Sequence, residues 1–558
     1  MAKLILDYAF ENERLRRDEP FLTQPVGNGE VVTFTWGQTM DQARRMAAHL
    51  RAQGFEPGAR IALLAKNSAH FFMVDLAVWM AGGTTVAIFP TESAHNIRYV
   101  LEHCEARLLF VGKLDDWPKQ AAGVPASMPC IALPLAPSTG FDGQWDDIVA
   151  RTEPLAGEPM RAADDLALLL YTSGSTGQPK GVMQTFGSVS AATESIVEEM
   201  RHRFPQGTDL RVLSYLPLAH CFERAWVECQ AFARGDMKVF FTDTAATFME
   251  DLQRARPTLF ISVPRLWTKF QQGVLAKMPA AQLDAMLDNP ATAAAVGAKV
   301  LASLGLDQVK NAGSGSAPLP AELLVWYRRL GLNLFEGYGM TEDFAYSHGG
   351  DGEASLPGHV GKPYPGVQAR LAEDGEILVK SPGRMAGYYK QPELNAEAFT
   401  EDGFFRTGDL GVLNEQGVLR ITGRKKELFK TAKGKYVAPV PIENLLNAHP
   451  MVELALVSGV GEATPYAVLV LDEALRPRLA DAAVQAQVQE ALTELLNQVN
   501  TKLASYEQLQ FLAVAREPWS IENGCLTPTM KIKRSRIEAV MAPHLPQWYE
   551  QPATVIWA

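Results

Sequence analysis

The sequence predicts an α/β fold, in which a large N-terminal domain of layered α/β subdomains is followed by a smaller α/β C-terminal domain. Three observations predict it. Helical and strand patterns alternate from the N-terminus to about residue 340, which is typical of parallel sheets joined by crossover helices. Short extended segments with many turn residues begin at about residue 356. Beyond about residue 426 a second, shorter α/β pattern appears.

The first alternating elements are read from the spacing of apolar residues. The stretch TWGQTMDQARRMAAHLRAQG has helical spacing and ends at Gly54, which predicts a helix with a glycine stop. The short apolar run RIALLAKNS predicts a buried strand. The chain then predicts a helix over HFFMVDLAVWMAGG, a strand over TTVAIFP, and a helix followed by a strand over IRYVLEHCEARLLFVG. The Pro- and Ala-rich segment 112–162 predicts connecting chain with one short strand.

The same periodicities continue through the rest of the chain. They predict a helix over SVSAATESIVEEMRHRF, strands over RVLSYLPLAH and KVFFTD, and helical surface over the Ala-rich segment 278–300. The turn-rich stretch that follows residue 356 predicts a small antiparallel sheet or barrel. Near the C-terminus, a long helix is predicted over 484–503.

Composition narrows the function classes. With 47% hydrophobic and 21% charged residues the chain is ordinary globular protein, and its net charge of -11 argues against general nucleic-acid binding. Five scattered cysteines without a CxxC pair predict reduced thiols rather than disulfides or zinc. No run of about 18 apolar residues occurs, and MAKLILDYAF is too short for a secretory signal. We expect a cytoplasmic protein, and leave open a peripheral contact with the inner membrane face and a homodimer.

A loop of Gly, Ser and Thr follows an apolar run in LLLYTSGSTGQPKGVMQT, residues 168–185. A sharp turn after a strand would expose backbone N–H groups and hydroxyls to an anion, and Lys180 would add a mobile charge. A polar surface turn is the alternative. The GxxxxGK[ST] pattern fails because Pro179 precedes the lysine, and GSGSAP fails GxGxxG because Pro318 takes the last place. The sequence therefore lacks the motifs that would indicate a P-loop kinase or a Rossmann fold.

YTSGSTGQPKGV resembles the phosphate loop of the adenylate-forming superfamily, which includes acyl-CoA synthetases, luciferases and peptide-synthetase adenylation domains. Ser175 stands where the family usually has Thr, and Phe186 stands where it often has His. Six further motifs occur in the family order and together cover most of the chain: YLPLAHCFERAWVE, GSAPL, GYGMTED, FFRTGDLG, ITGRKKELFKTAKGKYVAP and LTPTMKIKR. These motifs look most like those of the long-chain fatty acyl-CoA synthetases.

The resemblance implies a domain organisation. A large AMP-binding domain is expected over 1–425, with a β-barrel-like subdomain at about 350–425, and a small mobile C-terminal domain over 426–558. Lys426 falls where the family has its hinge. Rotation there would swing Lys531 out and admit the CoA thiol, whose approach Gly434 would line.

The resemblance also implies a reaction. A carboxylate attacks the α-phosphorus of ATP, pyrophosphate leaves, and a thiol then attacks the acyl carbon of the acyl-adenylate. Two unit charges about 4 Å apart repel by roughly 4 kcal/mol at an effective dielectric of 20, so the site must supply positive charge. Lys531 would bridge the α-phosphate and the carboxylate, although Met530 stands where the family often has Gly and Lys533 is a second candidate. His220 would flank the carboxylate, or pack in the core, and Trp267 would border an acyl tunnel or pack.

The nucleotide would be bound by residues from several motifs. Tyr338 would stack on adenine, Asp409 would accept the ribose hydroxyls, and Arg424 would reach the ribose or phosphates. Glu342 would coordinate Mg²⁺ and Thr341 would bond the α-phosphate, whereas without the motif they would be a solvated carboxylate and a helix cap. The expected nucleotide-binding set is Thr172, Ser173, Gly174, Ser175, Thr176, Gly177, Lys180, Ser316, Ala317, Pro318, Tyr338, Gly339, Thr341, Asp409, Arg424 and Lys531.

The sequence therefore predicts an AMP-forming acid–thiol ligase. It would use ATP, Mg²⁺ and coenzyme A to convert a medium- to long-chain fatty acid into acyl-CoA through acyl-AMP. One alternative is an acyl-AMP ligase that loads a carrier protein. A P-loop phosphotransferase, which would make ADP, is a second alternative. A third is a non-catalytic relative that only binds lipid or nucleotide.

Overall fold

The computed structural model describes residues 3–138, 140–173, 178–350 and 355–558. The chain divides into two compact units. The N-terminal unit contains residues 1–369 and 379–405, and the C-terminal unit contains residues 370–378 and 406–558.

The described residues form helices that range from one turn to more than five turns. In chain order they are α1 Ile5–Leu15, α2 Trp36–Ala52, α3 Ala69–Met80, α4 Ala94–His103, α5 Trp117–Gln120, α6 Trp145–Arg151, α7 Phe186–Arg201, α8 Cys221–Glu223, α9 Gln230–Arg234, α10 Phe248–Ala255, α11 Pro264–Leu275, α12 Ala280–Asp288, α13 Ala293–Ser303, α14 Ala321–Arg329, α15 Pro392–Ala398, α16 Pro439–Asn447, α17 Ala482–Thr501, α18 Arg534–Met541 and α19 Leu545–Glu550. A π-helical turn, Arg224–Cys229, joins α8 to α9.

The strands in chain order are β1 Pro20–Gly27, β2 Glu30–Thr35, β3 Arg60–Leu64, β4 Thr84–Ile88, β5 Leu108–Val111, β6 Cys130–Ala132, β7 Gly143–Gln144, β8 Leu166–Ser173, β9 Pro179–Thr185, β10 Leu210–Ser214, β11 Met237–Phe241, β12 Leu259–Ser262, β13 Asn311–Ser314, β14 Leu334–Tyr338, β15 His348–Gly349, β16 Lys362–Pro363, β17 Gln368–Leu371, β18 Glu376–Lys380, β19 Gly387–Tyr388, β20 Phe405–Leu413, β21 Leu419–Arg424, β22 Phe429–Lys430, β23 Tyr436–Val437, β24 Val452–Ser458, β25 Tyr466–Leu471, β26 Leu512–Val514 and β27 Val555–Trp557.

The N-terminal unit is built on a large mixed sheet. Among the described residues its strand order is β19-β9-β8-β4-β3-β5-β6-β7. The strands from β8 to β7 pair in parallel, whereas β9 pairs antiparallel with both β8 and β19. Helix α3 is buried along its whole length, in keeping with a sequence that is apolar except for His70 and Asp75. It lies against the sheet, since the Trp79 indole donates to the carbonyl of Ala167 at 3.0 Å.

Two smaller sheets complete this unit in the described part of the chain. One has the order β10-β11-β1-β2, with β2 antiparallel at its edge. The other has the order β12-β13-β14-β15-β16, and its first three strands are parallel. Because β13 and β14 are parallel neighbours, the loops after both strands leave the sheet at the same edge, which is where such sheets place their ligands.

The C-terminal unit has its own core. Strands β24-β25-β26-β27 form one sheet, with β24 antiparallel and the others parallel. Apolar residues of α16 and α17, such as Leu446, Leu492 and Leu496, pack with the strand residues Val457 and Leu469. Most of a second sheet, of order β17-β18-β20-β21, also belongs to this unit. It occupies the region where a small antiparallel sheet or barrel is predicted.

The α/β class and the predicted helices are confirmed, and two details are wrong. The described residues of segment 112–162 contain two strands, two α-helices and a 3₁₀ turn, not one short strand. Strands of two and three residues are too short for a period to be visible in the sequence. The strand predicted over RVLSYLPLAH ends at Ser214, because the chain leaves the sheet there. In the described part of the chain, no helix has the length and apolar character needed to cross a membrane.

Candidate active site

The predicted phosphate loop connects two antiparallel strands. Strand β8 runs up to Ser173 and β9 begins at Pro179, and Thr172 lies directly opposite Lys180 in this hairpin. Gly174, Ser175, Thr176 and Gly177 lie outside the described residues. The buried apolar residues of β8 fix the hairpin in the sheet, so Thr172 and Lys180 are held at the two ends of the loop.

Lys180 and Glu342 meet at one tyrosine. The Tyr388 hydroxyl donates to Glu342 Oε1 at 2.8 Å. The Lys180 ammonium lies 5.5 Å from the centre of the Tyr388 ring. Strand β19 pairs with β9, which brings Tyr388 beside the lysine. The structure therefore brings together two residues that are 162 positions apart in the chain and that the resemblance assigns to the phosphates and to Mg²⁺.

A short 3₁₀ turn, Thr341–Asp343, presents Glu342. The Asp343 carboxyl accepts from the backbone N–H of Met340 at 2.8 Å, which closes the turn. Burial raises the pKa of Asp343 to about 8. Gln184 donates to the Thr341 carbonyl at 2.9 Å, and the Thr341 hydroxyl donates to Cys221 Sγ at 3.5 Å. The turn is thus anchored from several sides, which fixes the backbone that carries Glu342.

His220 lies where the chain enters α8. Its Nδ1 accepts from the backbone N–H of Phe222 at 3.2 Å, so the imidazole acts as the N-terminal cap of this short helix. A neutral imidazole that accepts at Nδ1 carries its proton on Nε2. His220 is only partly buried and borders the cavity described below.

The loop before α8 is held by a buried polar network. Asn67 donates to the carbonyl of Leu216 at 2.7 Å and accepts from the N–H of Leu218 at 3.1 Å. The Glu223 carboxyl accepts from Ser214 Oγ at 2.7 Å. Burial raises the pKa of Glu223 to about 8. The network fixes the path of the loop and therefore the position of His220.

A cavity opens at the carboxyl ends of β13 and β14 and contains four of the predicted residues, His220, Ser316, Tyr338 and Gly339. Twelve further residues line it that sequence reasoning did not identify: Cys221, Phe222, Trp226, Ile261, Gly313, Ser314, Gly315, Phe335, Gly337, Ala345, His348 and Tyr364. The cavity is lined mostly by aromatic side chains and glycines, which suits the binding of a flat ring and an apolar chain.

The glycines that line this cavity are the feature of the sequence from which the cavity could have been predicted. A Cβ on Gly339 would lie 2.8 Å from the backbone of Ala345, so only glycine allows the two segments to touch. A Cβ on Gly315 would lie 3.3 Å from the Phe222 ring. Glycines at the ends of two neighbouring strands therefore mark a place where the backbone is approached closely, either by a ligand or by another backbone segment.

Ser316 has a positive φ of 68°, which is uncommon for a residue with a side chain. Strain of this kind is typical of ligand-binding loops. Ala317 and Pro318 follow it, and the next residue, Leu319, donates its N–H to the buried Glu336 carboxyl at 2.9 Å. Burial raises the pKa of Glu336 to about 8. This carboxyl holds the end of the strained segment against β14.

Trp267 packs in a core away from the cavity lining. It is fully buried, with its ring edge-on to Phe260 at 5.3 Å and to Tyr327 at 4.9 Å. The Tyr327 hydroxyl donates to the Trp267 carbonyl at 2.6 Å. The packing interpretation of Trp267 is therefore the correct one.

In the C-terminal unit, Asp409 and Arg424 face each other across β20 and β21. Arg424 Nε lies 2.8 Å from Asp409 Oδ1; the carboxylate is buried, whereas the guanidinium is largely exposed. Gly408 donates its N–H to Glu376 at 3.1 Å, which fixes the turn before Asp409. A buried carboxylate with one exposed cationic partner can bind hydroxyl donors at this edge.

Lys531 and its neighbours lie in a loop of the same unit. The side chain of Lys531 is exposed, and its backbone N–H and carbonyl bond to Thr527 at 3.1 and 2.8 Å. Met530 has a positive φ of 62°, the conformation that glycine adopts without strain. Lys426 is exposed just after β21, and Gly434 has a φ of 77° in the turn between β22 and β23.

The donor set suits magnesium bound together with a polyphosphate. No cluster of three or more His, Cys, Asp or Glu side chains able to hold a metal occurs in the described ranges. Mg²⁺ usually keeps several waters and takes one or two carboxylates plus phosphate oxygens, so a single carboxylate such as Glu342 is sufficient.

Two family models match the chain. The model described as AMP-binding enzyme matches residues 10–389, and the model described as AMP-binding enzyme C-terminal domain matches residues 427–552.

Curated relatives align over nearly the whole chain. A long-chain-fatty-acid–CoA ligase, FadD15, of Mycobacterium bovis is 31% identical, over 97% of this chain and 96% of its own length. Long-chain-fatty-acid–CoA ligase 1 of Homo sapiens is 28% identical, over 90% of this chain and 80% of its own length.

Solved structures share the fold. The A domain of a carboxylic acid reductase from Segniliparus rugosus, in complex with AMP and a co-purified carboxylic acid, has a TM-score of 0.79 at 23% identity and covers 98% of this chain and 94% of its own. ATP-bound MatB from Rhodopseudomonas palustris has a TM-score of 0.73 at 24% identity, over 97% of this chain and 99% of its own.

Proposed function

Because this chain belongs to the AMP-binding enzyme family, we propose that it activates a medium- to long-chain fatty acid with ATP. The acid would become acyl-AMP with release of pyrophosphate, and coenzyme A would then take the acyl group and release AMP. Relatives named long-chain-fatty-acid–CoA ligases match almost the full length of this chain, which supports this substrate class and this acceptor.

One observation carries the proposal. The residues assigned to adenine, Tyr338 and Ser316, line the same cavity as His220, the residue assigned to the carboxylate. When a nucleotide and an organic acid bind side by side, their reacting atoms are already close. Binding has then met the entropy cost of bringing the two reactants together, which lowers the barrier of the reaction. The aromatic and glycine lining suits adenine at one end and an apolar chain at the other.

The chain's own residues supply charge and orientation at this site. Thr172 and Lys180 flank the loop that would hold the β- and γ-phosphates, and Thr341 would bond the α-phosphate. Bound Mg²⁺ would neutralise phosphate charge that Lys180 alone cannot offset. Glu342 would hold that ion, and the His220 Nε2–H would donate to the carboxylate of the acid.

The C-terminal part of the chain would complete the reaction. We assign the ribose hydroxyls to Asp409 and the ribose or phosphate side to Arg424. Lys531 would bridge the α-phosphate and the attacking carboxylate. Residues 1–425 would form the AMP-binding domain and residues 426–558 a mobile domain, with Lys426 as its hinge. A cytoplasmic location, a peripheral membrane contact and a homodimer stay predictions.

A panel of carboxylic acids tests the proposal. The full chain is incubated with ATP, Mg²⁺ and coenzyme A, and nucleotides, pyrophosphate and thioesters are measured by mass spectrometry. We expect AMP and pyrophosphate in equal amounts, and an acyl-CoA that peaks at medium to long aliphatic acids. ADP as the product would support a phosphotransferase instead. Acyl-AMP that accumulates with CoA present would favour the carrier-loading alternative, and no turnover with any acid would favour a non-catalytic binding protein.

A further inference from the structure

We propose that Tyr388 is a positioning residue that aims Glu342 at the magnesium–nucleotide complex and holds Lys180 beside it, an inference that rests on the proposed function. The sequence predicts the segment GRMAGYYKQPE, which contains Tyr388, only as part of a small sheet, whereas Tyr388 lies in β19 at the edge of the large sheet.

The hydroxyl of Tyr388 fixes one of the two Glu342 oxygens. It donates to Oε1 at 2.8 Å, and the tyrosine is only 7% exposed, so the hydroxyl comes from a side chain that is itself fixed by packing. A carboxylate that accepts a hydrogen bond at one oxygen is held in one orientation and presents the other oxygen, Oε2, to a cation. Without the phenol, the Glu342 side chain would sample several rotamers in this partly exposed position.

The backbone around Tyr388 holds the rest of the glutamate. Met385 donates its N–H to the Glu342 carbonyl at 2.8 Å. Tyr388 itself is fixed by Asn395, whose side chain accepts from the Tyr388 N–H at 2.6 Å and donates to its carbonyl at 2.9 Å. One short segment therefore controls both the backbone and the carboxylate of Glu342.

The ring of Tyr388 has a second partner. The Lys180 ammonium lies 5.5 Å from the ring centre, within the range of a cation–π contact. The hydroxyl thus serves the metal-binding carboxylate and the ring face serves the phosphate-binding lysine. Substitutions can separate the two contributions, because phenylalanine keeps the ring and removes only the hydroxyl.

Tyr389 is a matched control at the next position. Its ring lies 5.2 Å from the Lys390 ammonium and edge-on to His103 at 5.6 Å, so these contacts involve residues other than Glu342 and Lys180. Tyr388→Phe and Tyr389→Phe each remove one phenol oxygen from adjacent residues, so a general effect of losing a hydroxyl appears in both.

The test is calorimetric ATP binding to the full chain, with Mg²⁺ and with EDTA. We expect Tyr388→Phe to weaken Mg·ATP binding about tenfold, which is the size of one charge-assisted hydrogen bond, and to leave metal-free ATP binding unchanged. Tyr389→Phe should match the parent protein in both titrations. Equal weakening with and without Mg²⁺, or no weakening at all, overturns the proposal.

A double-mutant cycle keeps the result interpretable. If the phenol acts through the carboxylate, Tyr388→Phe should add little further loss of Mg·ATP affinity in a Glu342→Gln background. Full additivity of the two losses would show that Tyr388 acts elsewhere, and would overturn the proposal even if the single variant loses affinity. Failure of the parent protein to bind ATP would instead refute the proposed function.

Discussion

Replacement of Lys531 by alanine is expected to abolish measurable acyl-AMP synthesis while ATP binding is retained. The proposed reaction brings a carboxylate to a phosphate, and one ammonium between them offsets repulsion that increases as the bond forms. Loss of one such group from a catalytic site typically costs about 100- to 1,000-fold in rate. The side chain is exposed, so its removal should leave the melting temperature nearly unchanged.

Lys533→Ala is the matched control for that experiment. Lys533 is the other lysine of KIKR, and the bond that fixes it is made by its backbone N–H to Cys525 at 2.7 Å, which alanine preserves. Single-turnover formation of acyl-AMP and calorimetric ATP binding are measured for both variants. Normal adenylation by Lys531→Ala, or a larger loss in Lys533→Ala, would contradict the assignment of Lys531.

Replacement of Arg224 by methionine is expected to destabilise the N-terminal unit strongly. The Arg224 side chain is fully buried and lies 2.5 Å from Asp75 and 3.2 Å from Glu228. Its Nε donates to the Leu218 carbonyl at 2.8 Å, in the loop that leads to His220. Removing one partner from a buried ionic cluster leaves the other charges uncompensated, which typically costs about 3–5 kcal/mol.

Burial and the nearby Asp75 carboxylate raise the pKa of Glu228. Without the guanidinium, this carboxyl has lost the cation that favours its charged form. Thermal unfolding followed by circular dichroism measures the effect, with Arg201→Met as the control. Arg201 pairs with Glu198 on the surface, where both side chains are 64% exposed, and such pairs contribute little. Similar melting temperatures for Arg224→Met and Arg201→Met would contradict the prediction.

The sequence predicts the fold correctly where the helices and strands are long. Helix α2 has a clear apolar period and ends before Gly54, whereas helix α3 and strands β3 and β4 are apolar runs with clear ends. For the region of β6 and β7 the sequence predicts only one short strand, because a strand of two or three residues carries no period and forms only through its neighbours in the sheet. Periodicity therefore predicts the interior of a domain better than its edges.

The sequence predicts only part of the candidate active site. Motifs identified His220, Tyr338 and Glu342, because their positions are fixed within short, ordered stretches of chain. His348 could not be found this way, since no motif marks it. Trp226 lies within YLPLAHCFERAWVE, but the motif alone does not show that its side chain lines the cavity. A contact between side chains far apart in sequence becomes visible only when the strands that carry them are paired.

Met530 departs from the sequence pattern of the family, and the backbone conformation at this position shows what the departure involves. The sequence showed Met where the resembling family often has Gly, just before Lys531. The backbone there has a φ of 62°, which glycine adopts at no cost and methionine adopts with strain. A residue without a side chain would suit this backbone conformation, and in this chain the methionine adopts it.

The most direct test of the proposed reaction follows an oxygen atom. Fatty acid labelled with ¹⁸O in its carboxylate is incubated with the protein, ATP, Mg²⁺ and coenzyme A, and the products are separated and weighed by mass spectrometry. If the carboxylate attacks the α-phosphorus, one ¹⁸O per turnover must appear in AMP and none in pyrophosphate. AMP without label, or label in a phosphate that has left the nucleotide, would contradict the account.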